Sequence, residues 1–295
     1  MSENRLSRKL AYAVIALLAG VIACELLIYT AISTGRSAPL KKKIAVINID
    51  GIIEDPQAAL EQLKKYGDDK SIKAVVIRLN TPGGAAAPVQ EIYDEILHLK
   101  KKTGKIFVAS MGSVAASGGY YIACAADKIF ANPGTVTGSI GVVMQFLNTE
   151  ALVKKIGVGV EVIKKGEYKD IGSSNRQITD AERKLLNNLV NDVFGQFIGA
   201  VKTGRKLDDK GLENLADGRI LTGSQAREAG LVDSIGGYLP ALREAARMAG
   251  IEGEPKVIKE KPAPRYFSMI MNAITPLEKN MISSGPKFKL SFIME

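Results

Sequence analysis

Apolar runs short enough for strands alternate with longer stretches of helical spacing along most of this chain. The runs at residues 43–49 (KIAVINI), 74–79 (AVVIRL) and 105–110 (KIFVAS) are nearly continuous in apolar residues, as strands covered on both faces require. Between them, residues 55–69 and 85–102 repeat apolar positions at helical intervals. This strand–helix–strand order predicts parallel βαβ units and an α/β fold. Residues 122–126, small and apolar, predict a short helix, and 127–131 a short strand. Further strands are expected at 142–147 and 158–164, with helices at 149–156, 179–203 and 238–248. Thr179-Asp180-Ala181-Glu182 resembles a capping box. Residues 218–222, a helix at 224–229 capped by Gly230, and 231–233 read as a last βαβ-like piece. Two stretches break the pattern, the glycine-rich 132–141 (NPGTVTGSIG) and the polar loop 166–174 (GEYKDIGSS).

The ends differ from the middle. Residues 1–9 are polar with Arg5, Arg8 and Lys9, and residues 10–32 are apolar apart from Glu25 and a few mildly polar positions, long enough to span a bilayer as a helix. Val21-Ile22-Ala23-Cys24 resembles a lipoprotein cleavage box, but the chain turns apolar again at Leu26, which favours an uncleaved signal anchor. The expected organisation is a cytoplasmic N-terminus (1–9), a transmembrane signal anchor (10–32), a linker (33–42), a globular domain (43–250) and a tail (251–295). The protein is then single-pass in the cytoplasmic (inner) membrane with its globular domain outside the cytoplasm, although Arg36 and Lys41 to Lys43 on the far side weaken the charge argument for that orientation. The tail becomes Lys/Pro-rich (KPAPR), then mildly apolar over 288–294, and is expected to pack on its neighbours or to be partly mobile.

Composition narrows the chemistry. Forty Lys and Arg against 31 Asp and Glu give a net charge of +9, concentrated in local lysine clusters. Without a nucleic-acid-binding signature, that charge reads as attraction to a membrane surface. Two cysteines, Cys24 in the N-terminal segment and Cys124 in the globular part, supply no disulfide framework. The single histidine, His98, lies late in a predicted helix, so a Ser-His-Asp triad or a multi-histidine metal site has little material to work with.

The candidate chemistry sits at Gly112-Ser113-Val114-Ala115-Ala116-Ser117-Gly118-Gly119-Tyr120-Tyr121, where a predicted strand passes into a predicted helix. A serine there, flanked by small residues, has the tight turn, exposed hydroxyl and helix-terminal N–H groups of a nucleophile, or is a Ser/Gly packing turn. A base for Ser117 must be a carboxylate or a lysine that is neutral near pH 7. Lys169 in Gly166-Glu167-Tyr168-Lys169-Asp170-Ile171-Gly172, 52 residues past the serine, is the best placed, with an ordinary surface lysine as the plain alternative. Gly83 and Gly84 follow a strand and can bring bare backbone N–H groups to a ligand, or form a Pro-Gly turn. Ser139 in Thr137-Gly138-Ser139-Ile140-Gly141 is a second hydroxyl among glycines, or a turn serine bonding its own backbone. Pro82-Gly83-Gly84 and Ser117, both after strand ends, should share one edge of the sheet.

Four ordered motifs, Asn80-Thr81-Pro82-Gly83-Gly84, Ser113 to Tyr121, Gly134 to Gly141 and Tyr168-Lys169-Asp170, resemble the signal peptide peptidase A family over about residues 43 to 250. These are membrane-anchored Ser-Lys peptidases, and the length is similar to the short, single-domain form. The resemblance implies a ClpP/crotonase-like domain of repeated ββα/βαβ units preceded by one transmembrane helix. It implies Ser117 as nucleophile, Lys169 as general base, Ser139 as the hydroxyl that positions Lys169, and the Gly84 and Gly118 N–H groups as the oxyanion hole. It implies no cofactor and no metal. The implied substrates are signal peptides left after preprotein cleavage and other peptides with small or apolar side chains near the scissile bond. The implied assembly is a homo-oligomeric ring, such as an octamer, in which adjacent subunits share each active site. Two other classes fit the pattern: acyl-CoA enzymes with the same sheet-plus-glycine design, and a non-catalytic membrane scaffold.

Overall fold

The computed structural model describes residues 16–26, 42–212, 214–260 and 291–294. The chain divides into two units, Met1–Lys41 and Lys42–Glu295. In the first, residues 16–26 are helical. Among the described residues no helix is long and apolar enough to cross a membrane. Much of the anchor expected at 10–32, including both of its ends, lies outside them.

The second unit is built on an eight-stranded sheet. Its centre is β1 (Lys43–Asp50), β2 (Ile72–Thr81) and β4 (Ile106–Ala116), paired in parallel in the order β1-β2-β4. Helices α1 (Gln57–Asp68) and α2 (Ala86–Thr103) make the crossovers, as the apolar runs predict. The short strand β3 (Gly83–Ala85) lies between β2 and α2, off this sheet.

Alternation along the strands feeds two apolar layers. Ala45, Ile47, Val75, Ile77, Phe107 and Ala109 face one core, shared with α1, α2, α3 (Gly118–Ala123) and α5 (Asp180–Arg205). Ile44, Val46, Ala74, Val76 and Val108 face the other, covered by Ala241, Ala245 and Ala246 of α8 (Tyr238–Met248). The small side chains of α8 let the helix lie close on the sheet.

β4 is the pivot. Its first half pairs with β5 (Lys128–Ala131) and its second half with β6 (Val136–Gly138). Against β2 the register slips: Leu79 faces Met111, but Thr81 faces Ala115. The extra residues of β4 form a bulge, and Asn80 fills it, its Oδ1 accepting the Ser113 N–H at 3.1 Å and the Val114 N–H at 3.3 Å. Gly112 fits because a Cβ there would stand 2.8 Å from that same oxygen. β6 then pairs antiparallel with β7 (Ile220–Thr222), and β5 pairs in parallel with β8 (Ser234–Ile235).

Three expectations change. Residues 142–147 and 158–164 form no strands; Val143 makes only an isolated bridge and the second segment is exposed. Both are rich in β-branched residues, but a strand needs a neighbour to satisfy its backbone, and none lies beside 158–164 among the described residues. The short α4 (Glu150–Lys155) between them does form. The helix expected at 122–126 starts earlier, at Gly118, directly after the serine. Past the expected boundary at 250, β9 (Lys256–Lys259) adds to the sheet in parallel with β1, and β10 (Ser291–Ile293) pairs antiparallel with β3 in a separate two-stranded sheet. The capping box of α5 is complete: Thr179 Oγ1 accepts the Glu182 N–H and Glu182 Oε2 accepts the Thr179 N–H at 2.9 Å. Between β8 and α5 in the core, Arg205 pairs with Asp233 at 2.7 Å. α6 (Asp209–Leu212) and α7 (Gly223–Glu228) complete the unit.

Candidate active site

Ser117 occupies the one residue between β4 and α3. Its φ of 50° and ψ of −114° are strained for a residue with a Cβ, and strain of this kind persists only where the surroundings over-determine it. They do so here. The Ser117 N–H donates to Gly138 O at 2.8 Å, and its carbonyl accepts the Tyr121 N–H at 2.9 Å. One bond ties the residue to β6 and the other to the first turn of α3. The side chain is 1% exposed, and its hydroxyl makes no hydrogen bond among the described residues. Below it, Tyr120 is fully buried and its hydroxyl donates to Leu231 O at 3.0 Å, anchoring α3.

β3 runs against the start of α3, so the expectation that the Pro-Gly-Gly turn and the serine share one edge holds. A Cβ on Gly83 would stand 2.8 Å from Gly118 N. A Cβ on Gly84 would stand 2.0 Å from Ile53 O. The two glycines are therefore steric requirements: backbone passes where side chains cannot. Thr81 fixes the turn, its Oγ1 accepting the Gly83 N–H at 3.0 Å. On one flank, β3 bonds to Ile53, through Ile53 N–H to Gly83 O (2.9 Å) and Ala85 N–H to Ile53 O (2.8 Å). The Gly84 N–H and C=O point to the opposite flank.

Ser139 repeats the strained geometry of Ser117, with φ also at 50°. Its N–H donates to Arg219 O at 2.8 Å, and it is nearly buried. It lines a cavity of about 450 Å³ together with Val142, Val143, Phe194 and Asp217. Four and two residues earlier, Thr135 and Thr137 donate their hydroxyls to Gly112 O (2.8 Å) and Ala115 O (2.7 Å), locking β6 to the bulged half of β4. The alternating Thr-x-Thr was the available sequence signal for this clamp.

Lys169 stands apart. It lies on an exposed turn, and its amine makes no hydrogen bond or ion pair among the described residues. The structure does not bring it to Ser117 or Ser139 within one chain as a bonded partner. Its neighbour Asp170 is already engaged by Lys164 and by Arg176 at 2.9 Å, and Arg176 also holds Glu182. The Arg176 guanidinium, followed by Lys164, keeps the Asp170 carboxyl well below its ordinary range. Arg176 and then the Thr179 N–H bring Glu182 down to about 2. This network braces the turn, and among the described residues the Lys169 amine has no carboxylate partner.

The other nucleophile-bearing residue nearby is excluded. Cys124 is buried at the end of α3, and burial pushes its thiol up to about 12. His98 is exposed on α2, as expected.

Sequence reasoning missed an aromatic cluster beside the serine. Tyr121 of α3 contacts Tyr93 of α2 edge-on (centroids 4.9 Å), Phe197 of α5 (4.9 Å) and Phe292 of β10 (5.2 Å, 25° between planes). Four rings from four separate elements leave no local pattern to read.

The chain is similar to known proteases. The model of peptidase family S49 matches residues 99–252. The chain is 44% identical over 214 residues to a putative protease of Synechocystis sp., covering 72% of this chain and 76% of that protein. It is 39% identical to a putative signal peptide peptidase SppA of Enterococcus faecium, covering 66% and 60%. It is 36% identical to Protease 4 of Haemophilus influenzae, covering 70% of this chain but 35% of that longer protein. The matched region contains Ser117, Ser139 and Lys169 on a mixed α/β fold with a mainly parallel sheet. The chain belongs to peptidase family S49 and is a serine peptidase.

Proposed function

We propose that this peptidase is a membrane-anchored endopeptidase of ClpP/crotonase-like architecture that works with a Ser-Lys dyad. In this reading Ser117 is the nucleophile and Lys169 of an adjacent copy is the general base. The observation that carries the reading is the position of Ser117: a strained serine at a strand-to-helix junction, held against a Gly-Gly strand whose Gly84 N–H is turned away from Ile53. A neutral Lys169 amine takes the Ser117 proton as the hydroxyl attacks a peptide carbonyl. The Gly84 and Gly118 N–H groups receive the oxyanion, and loss of one such donor costs about 100- to 1,000-fold in rate. The protonated amine then gives its proton to the leaving nitrogen, and water hydrolyses the ester by the reverse route. Ser139 orients the amine from the cavity it lines.

Exposure of Lys169 supports delivery in trans. So does the apolar, unpaired excursion that carries it. The substrates are signal peptides left after preprotein processing and other apolar segments, and the N-terminal segment 10–32 keeps the enzyme beside them at the membrane.

The test is complementation. Ser117→Ala and Lys169→Ala proteins should each be inactive on an apolar peptide. Mixed and reassembled one to one, they should regain about a quarter of wild-type activity if each site takes one residue from each of two neighbours. Full activity of either variant alone ends the dyad reading; no recovery on mixing ends the shared site.

A further inference from the structure

We infer that Asn80 of β2 is a positioning residue for Ser117: its side-chain oxygen holds the bulge of β4, and the bulge sets where the serine leaves the sheet. The inference rests on the reading of Ser117 as the nucleophile. It gives a task in the reaction to a side chain that makes no hydrogen bond with Ser117.

Two steps along β2, from Leu79 to Thr81, are matched by four along β4, from Met111 to Ala115. In an even ladder Thr81 would face Ser113, and Ser117 would fall level with Ala85. The slack taken up in the bulge draws the serine back by two residues, about 6.5 Å of strand rise, to the level of Gly83. There the start of α3 meets the Gly-Gly strand, for a Cβ on Gly83 would stand 2.8 Å from Gly118 N. A slip of one residue would have turned every side chain to the opposite face. A slip of two keeps the alternation, and Ala109, Met111 and Ala115 all stay in one core.

A bulge leaves backbone groups that the ladder does not pair, and here side chains take them in turn. Arg78 Nη1 donates to Ser110 Oγ at 2.9 Å and to Met111 O at 2.7 Å. The Thr135 hydroxyl donates to Gly112 O at 2.8 Å. Asn80 Oδ1 accepts the Ser113 and Val114 N–H groups at 3.1 and 3.3 Å. The Thr137 hydroxyl donates to Ala115 O at 2.7 Å. Each residue from 110 to 115 is thus held by a side chain of β2 or of residues 135–137. Asn80 holds the two at the top of the bulge, and it does so with its oxygen alone, since its amide nitrogen makes no hydrogen bond among the described residues. The oxygen is seated hard against the strand, for a Cβ on Gly112 would stand 2.8 Å from it. Between Val114 and Ser117 lie only Ala115 and Ala116, both fully buried. A change in the path of the bulge has little slack to absorb it before the strained backbone of the serine.

The experiment uses the full-length protein in detergent and a leucine- and alanine-rich peptide. Asn80→Leu keeps the size of the side chain and removes the acceptor, Asn80→Asp keeps both, and Gly112→Ala presses on the same oxygen from the strand side. Asn80→Leu should lose about 10- to 100-fold in kcat, with KM changed by less than about threefold, because the reacting hydroxyl moves and the rest of the substrate site does not. Asn80→Asp should restore kcat to within about fivefold of wild type, since a carboxylate oxygen accepts the same two N–H groups. Gly112→Ala should lose kcat as Asn80→Leu does, and combining the two should cost little more, because both disturb one contact. Deuterium exchange at residues 113 and 114 should be fast in Asn80→Leu and slow in Asn80→Asp. Unchanged exchange or unchanged kcat in Asn80→Leu, or equal losses in the Leu and Asp variants, overturns the positioning role. Should Asn80→Leu fail to fold, wild-type kcat in Gly112→Ala overturns it instead. Ser117→Ala separates this inference from the catalytic reading. If Ser117→Ala is inactive while Asn80→Leu matches wild type, the positioning role alone falls; if Ser117→Ala keeps full activity, the nucleophile falls and the role of Asn80 with it.

Discussion

At the scale of single residues, the site is a set of places where a methyl group cannot go. Gly83 and Gly84 let β3 pass between Ile53 and the opening beside Ser117, and a Cβ on Gly84 would lie 2.0 Å from the Ile53 carbonyl oxygen. Backbone on that side cannot retreat without breaking the bonds between Ile53 and residues 83 and 85. Gly84→Ala should therefore move the donor N–H off target and reduce kcat/KM by about 100-fold or more. The KM for short peptides should change less than kcat, because the N–H acts mainly on the developing oxyanion. Wild-type kcat in the alanine variant would dissociate this N–H from catalysis. Much of this was legible in the sequence. The Pro-Gly-Gly turn and the Gly-flanked serine are local features, written in adjacent letters. Asn80 was visible as part of its motif, but not as the plug of a bulge, because the bulge exists only once β2 and β4 are paired out of step.

Elements form where local and long-range demands agree. β1, β2 and β4 were readable because strands buried on both faces must be apolar throughout. α5 was readable from its capping residues. The segments at 142–147 and 158–164 have strand composition but lack a partner strand, which a composition cannot reveal. The turn bearing Lys169 is ordered instead by charge, through Lys164, Asp170, Arg176 and Glu182. That bracing has a definite pH window. Glu182 is held at about 2, below its ordinary 4.5, mainly by Arg176, and Asp170 is also lowered, again chiefly by Arg176. A carboxylate lowered by folding contributes stability above its unfolded pKa and loses it as pH falls through the folded value. Arg176→Gln should thus lower Tm at pH 7, with the gap to wild type narrowing between about pH 4.5 and 2. Melting curves that stay equally separated across that range would show that the network does not stabilise the fold.

On the scale of the whole molecule, the second unit leaves one face unfinished. Its two cores are closed, yet Leu147, Leu152, Ile156 and Ile163 stand 59 to 96% exposed along the same excursion that carries Lys169. Scattered apolar residues on a surface need no explanation, but Val158, Val160, Val162 and Ile163 are all half or more exposed on one stretch outside any helix or strand, and such a cluster marks an interaction surface. If a second copy of the chain covers this excursion, burial of Ile163 and delivery of Lys169, six residues later, are one event. Ile163→Asp should then dissociate the assembly, because an aspartate buried at such an interface has no partner to offset its desolvation. Sedimentation velocity in detergent should show the smaller species. Peptidase activity should be lost along with it, although Ser117, Gly84 and Gly118 are untouched. Circular dichroism should show Tm within a few degrees of wild type, since Ile163 is 96% exposed in the single chain. Raising protein concentration should restore activity and assembly in parallel. A dissociated Ile163→Asp protein that keeps full activity would mean that one chain carries the whole catalytic apparatus, and the base for Ser117 would have to be sought within it.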